Sequence, residues 1–282
     1  MKVSFWGTRG SLATPGKATI RYGGNTSCVQ VTGSQGTVLV LDAGTGIREL
    51  GASLPHGLQR VDVLLSHLHM DHIQGLGFFL PLYHPKMEVH IWGPASVTLQ
   101  LPARLNRYLS PPFFPVHMRD LPCKLLMHDA SRMNAEIGEF RVRAVRVSHP
   151  GPTVGYRIDG AEGSVCYLPD HEPILGAEKF ANDPAWISGM AVAHEVDMLI
   201  HDSQYTDEEY RSRMGWGHSS IRQAIDFARR AGVGRLVAFH HDPSHNDQAL
   251  DHMHRCMIEE ISPSFPVTVA REGKTLQLGR GK

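Results

Sequence analysis

The chain has 282 residues, of which 41% are hydrophobic, and it carries 28 basic and 28 acidic residues. This length and composition predict a globular protein with one large domain or two small ones. A net charge of zero gives no global reason to expect a long polyanion as a partner, and no stretch approaches the ~18 apolar residues of a membrane span.

The N-terminus, MKVSFWGTRGS, has no basic region followed by an apolar run. It therefore does not resemble a signal peptide, and we expect a cytoplasmic protein with no membrane association.

Short apolar runs rich in Val, Ile and Leu recur along the chain, and each predicts a β-strand. They cover residues 2–6, 27–32, 37–42, 61–67, 88–92, 140–149, 153–158, 164–170, 197–202, 235–241, 266–270 and 275–278. We expect the two strand-rich halves, near 1–125 and 140–282, to stack as two sheets.

Helical patterns lie between these runs. Residues 219–232 are the clearest case, because Ser220 and Gln223 fit a capping box and Gly232 fits a stop signal. Residues 206–213 open in a similar way, and further helical segments are expected after Asp71 and within 94–108. Alternating strands and helices predict α/β layering, with helices on the outer faces of the sheets and one domain over residues 1–282.

The stretch HLHMDH, residues 67–72, places three histidines and an aspartate within six positions. His67 and His69 are two residues apart on an extended segment and therefore point the same way. Asp71 and His72 follow after the chain turns, so they can address a second ion. Imidazole and carboxylate groups suit Zn, Fe and Mn, and this run predicts metal binding.

Further polar residues stand where other predicted strands end: His149, Asp170, His201 with Asp202, and His240 with His241. Ligand sites of α/β sheets lie outside the carboxyl ends of strands, so we expect these side chains to meet the 67–72 run in one cleft. Seven ligands suit two ions ~3.5–4 Å apart, with Asp170 as a bridge. His240 is favoured over His241, although the choice stays open, and His171, His201 and His245 are less favoured as ligands.

These motifs resemble those of the metallo-β-lactamase fold superfamily over nearly the whole chain. LDAGTG (41–46), HLHMDH (67–72), His149, Asp170 and His240 are similar to its five motifs in order. Two further segments, LIHDSQYTDEEY (199–210) and GHSS (217–220), resemble its phosphodiesterase branch, which includes the 3′ tRNA-processing endonuclease and phosphoribosyl cyclic phosphodiesterase. The implied fold is an αββα sandwich, two mixed sheets face to face with helices outside.

The resemblance implies a dinuclear hydrolase with two divalent ions per chain, Zn first and Mn or Fe as alternatives. One ion would be held by His67, His69 and His149, and the other by Asp71, His72 and His240, with Asp170 and a hydroxide between them. Asp71 and His218 are the expected catalytic residues, His218 as a phosphate clamp or general acid. Asp42 and Asp202 are expected to orient ligand imidazoles.

The expected substrate is a small or cyclic phosphodiester such as a cyclic nucleotide. The neutral charge and the lack of a long Gly/Pro-rich insert like the tRNA-gripping arm weigh against long nucleic acid. Hydrolysis of an ester, thioester or lactone, and a metal-bearing sensing module with little turnover, are the alternatives. A homodimer stays open, as does the role of residues 109–116, as a lid or a packed loop. The glycine-rich loops 7–11 and 21–28 either border the cleft or serve only as turns.

Overall fold

Two seven-stranded sheets lie face to face at the centre of the molecule, and helices cover both outer faces. The structure is a computed structural model that describes residues 1–174, 176 and 179–279. It confirms the predicted αββα sandwich. The single domain over residues 1–282 stays a prediction, and its last three residues lie outside the described part of the chain.

The first sheet has the strand order β14-β1-β2-β3-β4-β5-β6. Its strands are β1 (Lys2–Gly7), β2 (Cys28–Thr32), β3 (Val38–Leu41), β4 (Arg60–Leu64), β5 (Glu88–Gly93), β6 (Lys124–Asp129) and β14 (Thr275–Gln277). Strands β14 to β3 pair in antiparallel fashion, whereas β3 to β6 are parallel.

The second sheet has the order β13-β12-β11-β10-β9-β8-β7. Its strands are β7 (Asn134–Ile137), β8 (Phe140–Arg146), β9 (Val154–Gly160), β10 (Gly163–Leu168), β11 (Met198–Asp202), β12 (Leu236–Phe239) and β13 (Val267–Val269). Here β7 to β10 are antiparallel and β10 to β13 are parallel. Both sheets are therefore mixed.

The central strands are apolar on both sides because each sheet is covered on both faces. In β3, Leu39 and Leu41 enter the core between the sheets, while Val38 and Val40 pack under the outer helices. Neighbouring residues of one strand point to opposite faces, so a continuous apolar run is what such a strand requires.

The seven α-helices of the described residues are short. They are α1 (Ile47–Ser53), α2 (Met70–Ile73), α3 (Leu101–Leu105), α4 (Met190–Ala193), α5 (Asp207–Arg213), α6 (Ile221–Ala231) and α7 (Asp247–Ile261). The capping boxes predicted at Thr206 and Ser220 are present, and Gly232 ends α6 in the left-handed conformation. None of the described helices has the length and apolar character that a membrane crossing requires.

The structure differs from the predicted elements in several places. Strands β6 and β7 were not predicted, because KLLMHD has no β-branched residue and NAEI is short and half polar. The helix within 94–108 is limited to α3, and the segment after Asp71 continues from α2 only as two 3₁₀ turns. The two halves do not map cleanly onto the two sheets, since β14 returns to pair with β1.

Candidate metal centre

The polar residues predicted as site residues gather at one edge of the sandwich. Strands β3, β4, β8, β10, β11 and β12 all end at this edge, because β8 runs parallel to β10 and the others belong to the parallel halves. The loops that follow these strands carry the 67–72 run, His149, Asp170 and His240, and Asp202 is the last residue of β11. Sheet topology thus brings together side chains that are up to 173 positions apart, from His67 to His240.

Two groups of four side chains share Asp170. Group A consists of His67, His69, His149 and Asp170, and group B consists of Asp71, His72, Asp170 and His240. Within each group, one nitrogen or oxygen atom from every residue lies within 4.8 Å of the others. All seven residues predicted as ligands therefore meet, although their role as ligands stays a proposal.

Contacts in group A join imidazole nitrogens to one carboxylate oxygen. His67 Nε2 and His149 Nε2 each lie 3.7 Å from Asp170 Oδ2, and His149 Nε2 lies 3.2 Å from His69 Nδ1. His67 and His149 are buried, whereas His69 is exposed. Group A is therefore the side of the cluster that solvent reaches.

Contacts in group B are tighter. His72 Nε2 lies 2.9 Å from Asp170 Oδ1 and 3.3 Å from His240 Nε2, and His240 Nε2 lies 3.2 Å from Asp71 Oδ2. All four side chains are buried. Four buried ionisable groups at such distances need a shared positive charge, because buried carboxylates without one are costly.

The hydrogen bonds of the imidazoles fit a divalent cation. Nδ1 of His72 donates to Asp42, Nδ1 of His149 to the Gly217 carbonyl and Nδ1 of His240 to Gln204, at 2.7–2.9 Å. Each of these rings thus turns the lone pair of Nε2 toward the cluster. Among the described residues, His67 Nε2 and Asp170 Oδ1 are buried without a hydrogen-bond partner, as atoms awaiting a cation would be.

The electrostatic field at group B favours positive charge. Burial opposes ionisation of Asp170, but His240 and His72 outweigh it and hold the pKa of this carboxyl well below its usual range. Burial likewise disfavours a charged His72, yet Asp170, Asp71 and Asp42 together raise the pKa of His72 well above 6.5. A site that attracts a proton so strongly also suits a metal ion.

At group A the balance is different. Burial lowers the pKa of His67, His69 and His149, and together with neighbouring imidazoles it outweighs Asp170, which raises it. These rings are therefore neutral at pH 7, which is the state in which imidazole binds a metal.

Asp42 holds one imidazole of the cluster by a hydrogen bond. It accepts hydrogen bonds from the Ser66 amide and hydroxyl, from the Tyr167 hydroxyl and from Nδ1 of His72. Its φ of 60° is unusual for a non-glycine residue, and backbone strain of this kind concentrates at functional sites. The expectation that Asp42 orients an imidazole thus agrees with the contacts, while Ser66 and Tyr167 were not anticipated.

His240 rather than His241 faces the cluster. Its φ of 61° turns the chain at the end of β12, so that the two adjacent rings point apart and His241 Nε2 donates to the Ala270 carbonyl. Gln204, which accepts the Nδ1 proton of His240, was missed by the sequence analysis. Its position two residues after Asp202, at the end of β11, was the available signal.

His218 lies beside both groups. Its Nδ1 donates to Asp202 Oδ2 at 2.7 Å and lies 3.9 Å from Asp170 Oδ2, and its ring stacks on His240. Burial disfavours its charged form, but Asp202 outweighs burial and raises the pKa of His218 to about 9. The ring is then an imidazolium at neutral pH, although Asp202, His218 and His240 also form a third possible ligand group.

Of the two glycine-rich loops, residues 7–11 border the cluster, whereas residues 21–28 contact loop 7–11. The Ser11 amide donates to Asp71 Oδ2 at 2.7 Å. A Cβ atom on Gly10 would lie 2.5 Å from the His240 ring, so only glycine fits there. Arg9 is fully buried and donates to the Gly23 and His245 carbonyls, which ties the two loops to the end of β12.

Other residues considered as ligands lie elsewhere. His171 pairs with His201 Nε2 at 2.9 Å, and His245 pairs with Glu209 at 2.8 Å. In residues 109–116, Leu109 and Phe114 are buried in the core under the first sheet, while Phe113 is exposed. Two of the eight residues are thus packed in the core and four are exposed, so the choice between a lid and a packed loop stays open.

Comparisons with known proteins agree with this geometry. A family model described as the beta-lactamase superfamily domain matches residues 37–241. The curated Ribonuclease Z of Gemmatimonas aurantiaca is 26% identical over 322 aligned positions, which cover 98% of this chain and 95% of that protein.

Two solved structures share the fold. The metallo-beta-lactamase fold protein YhfI from Bacillus subtilis gives a TM-score of 0.70 at 18% identity, covering 98% of this chain and 99% of that one. The short form of human tRNase Z gives 0.69 at 20% identity, covering 99% of both chains.

One expectation from the sequence is wrong. A small phosphodiester substrate without long nucleic acid conflicts with the relatives, because the protein that matches 98% of this chain is named a ribonuclease. The neutral net charge was the faulty step, since a total over 282 residues says nothing about the charge beside the cleft.

The family model spans most of the chain, and within it lie β3, the 67–72 run, His149, Asp170 and His240. The predicted superfamily is confirmed: the chain belongs to the beta-lactamase superfamily.

Proposed function

We propose that the protein is a metal-dependent ribonuclease that hydrolyses phosphodiester bonds in RNA with two divalent ions per chain. The observation that carries this proposal is the position of Asp170 between groups A and B, which gives two adjacent four-residue ligand sets with one shared carboxylate. The names of the curated relatives support RNA as the substrate. Zinc suits the histidine-rich ligand set best, and manganese and iron are compatible with it.

Seven side chains would hold the two ions. His67, His69 and His149 would bind one ion, and Asp71, His72 and His240 would bind the other, with Asp170 between them. When bound, the two ions lower the pKa of water so that a nucleophile forms near neutral pH, and they neutralise charge on the phosphoryl oxygens. Ser66, Asp42 and Gln204 contact Nδ1 of His67, His72 and His240, at 3.0, 2.7 and 2.9 Å, and so would fix the tautomers of these rings.

His218 acts on the substrate side of the cluster. Asp202 engages its Nδ1 and keeps it protonated, so that Nε2 is left to donate to the phosphate. Such a donor stabilises negative charge that develops on the phosphoryl oxygens, and it can protonate the oxygen that leaves. Asp71 is proposed as a catalytic residue as well as a ligand. The Ser11 amide fixes its carboxylate, which contacts both His72 and His240.

The test is cleavage of RNA by protein stripped of metal and then reloaded with zinc or manganese. We expect reloaded protein to cleave single-stranded and structured RNA and to hydrolyse bis(p-nitrophenyl) phosphate, and we expect Asp170→Ala to do neither. Turnover of a thioester or lactone by the reloaded protein, with no phosphodiester cleaved, would refute the proposal.

A further inference from the structure

A tryptophan stands exposed on a tight turn beside the candidate centre. Trp216 is 61% exposed and lies two residues before His218. Its neighbours Gly215 and Gly217 have φ values of +86° and +89°, which glycine adopts far more easily than other residues. The turn therefore has a specific backbone shape, and it presents the indole to solvent instead of burying it.

The turn is held by a buried carboxylate. Glu172 is fully buried, and it accepts hydrogen bonds from the Gly215 amide at 2.9 Å, the Gly217 amide at 2.8 Å and the Tyr210 hydroxyl at 2.7 Å. A buried carboxylate is stable only when it is bonded in this way, so its donors are fixed in turn. The backbone on both sides of Trp216 is thus anchored even though its side chain is free.

The same turn contacts the cluster. The Gly217 carbonyl accepts the Nδ1 proton of His149 at 2.8 Å. A Cβ atom on Gly217 would lie 2.4 Å from that ring and 2.3 Å from Pro150, so the turn packs directly against group A. Trp216 is one peptide away from this contact.

The chemistry around the indole suits a nucleotide. The last turn of α5, just before it in the chain, carries Arg211 and Arg213, and the Arg213 guanidinium lies over the Tyr205 ring. An exposed aromatic ring suits single-stranded nucleic acid, because bases of any sequence stack on its face.

The geometry points to Trp216 as a stacking platform for the base of a nucleotide next to the scissile phosphate. This inference rests on the proposed ribonuclease function and adds a residue that contacts the substrate outside the ligand set. The Glu172-anchored turn fixes the distance between the stacked base and the phosphate held at the cluster, so Trp216 acts on binding and not on the chemical step.

The experiment compares Trp216→Leu, Trp216→Phe and the matched control Trp186→Leu on short RNA. Trp186 is 81% exposed and lies among residues of α4 and α6 on the outer face of the second sheet. We expect Trp216→Leu to raise KM for RNA roughly 5- to 150-fold, the range of base–aromatic stacking, with kcat within about 2-fold of wild type. Trp216→Phe should recover most of the loss, and Trp186→Leu should behave as wild type.

An RNA with an abasic site next to the cleaved bond identifies the contact. Wild type and Trp216→Leu should show the same KM for this RNA, because the partner of the indole is missing. An equal penalty on intact and abasic RNA, an unchanged KM in Trp216→Leu, or a loss of bound metal in that variant would overturn the stacking inference alone. If wild type hydrolyses bis(p-nitrophenyl) phosphate but cleaves no RNA, the proposed function fails and the inference fails with it.

Discussion

Two regions of the described residues each bury three or more histidines close together, and only one of the two resembles a metal centre. At the sheet edge, groups A and B combine imidazoles with Asp71 and Asp170. The second histidine group, His241, His245 and His254, lies on the other side of His240. His241 and His254 have ring centroids 6.0 Å apart, and neither belongs to a possible ligand group among the described residues.

The difference lies in the carboxylates. Around His72, Asp170, Asp71 and Asp42 outweigh burial and raise its pKa. Around His254, burial and His245 outweigh Asp251 and lower its pKa to about 4, while Glu209 pairs with His245. The two buried aspartates shared among the imidazoles distinguish the candidate metal centre from the second histidine group, and a count of histidines alone does not.

The largest expected effect comes from removing the shared carboxylate. Asp170→Ala should lower phosphodiester hydrolysis by roughly 10⁴-fold or more, because most of the acceleration depends on both ions. It should also lose at least one metal per chain, measured by elemental analysis beside the rate. Two bound metals with a wild-type rate in this variant would rule out Asp170 as the bridge.

The next effect separates chemistry from metal binding. His218→Ala should keep both metals and lose about 10²- to 10⁴-fold in kcat, because an imidazolium donor is removed while both ligand sets stay intact. Rates and metal content should be measured on the same preparation. A full phosphodiesterase rate would show that His218 has no catalytic role, and a loss of metal would make His218 a ligand.

Asp42→Asn should have a smaller effect, a loss of metal affinity, because Asp42 contacts the candidate ligand His72. An amide does not replace the carboxylate as acceptor for His72, Ser66 and Tyr167 together, so metal affinity should fall about 10- to 100-fold. Affinity can be measured by competition with a chelator dye. Asp62→Asn is the matched control, because Asp62 is equally buried but bonds to Arg60 and Trp92 away from the cluster; an equal loss there would remove the special role of Asp42.

The smallest effect on activity should come from the second histidine group. His254 has a folded-state pKa of about 4 against an ordinary 6.5, so the unfolded chain takes up its proton first as the pH falls. Stability is therefore present above pH 6.5 and is lost toward pH 4, by about 3 kcal/mol from this residue.

His254→Leu should reduce the loss of unfolding free energy as the pH falls, measured by urea unfolding between pH 7 and pH 4.5. Activity and metal content at pH 7 should stay unchanged. An unaltered pH slope would mean that His254 is not neutral in the folded protein.

Much of the fold and the site follows from local sequence. A segment such as LLSHLHMDH indicates both where a buried strand ends and which candidate ligands follow it. The members of the cluster could therefore be predicted from the sequence. Strand β7 was not predicted because two of its four residues are polar and because it is held by pairing with β8, which is a tertiary effect.

Contacts between residues that are distant in the sequence also could not be predicted. Gln204 stands inside the LIHDSQYTDEEY segment and Glu172 follows Asp170 by two residues, but their roles exist only because His240 and Gly217 fold next to them. The choice between His240 and His241 depended on one backbone angle that no pattern encodes. The prediction of the substrate class was wrong for a related reason, since total charge does not describe the charge of the local surface.

Anomalous diffraction from a crystal of zinc-loaded protein tests the central claim most directly. We expect two peaks about 3.5–4 Å apart on either side of Asp170, one among His67, His69 and His149 and the other among Asp71, His72 and His240. Absence of peaks at Asp170, or zinc bound instead at His241, His245 and His254, would contradict the proposed centre.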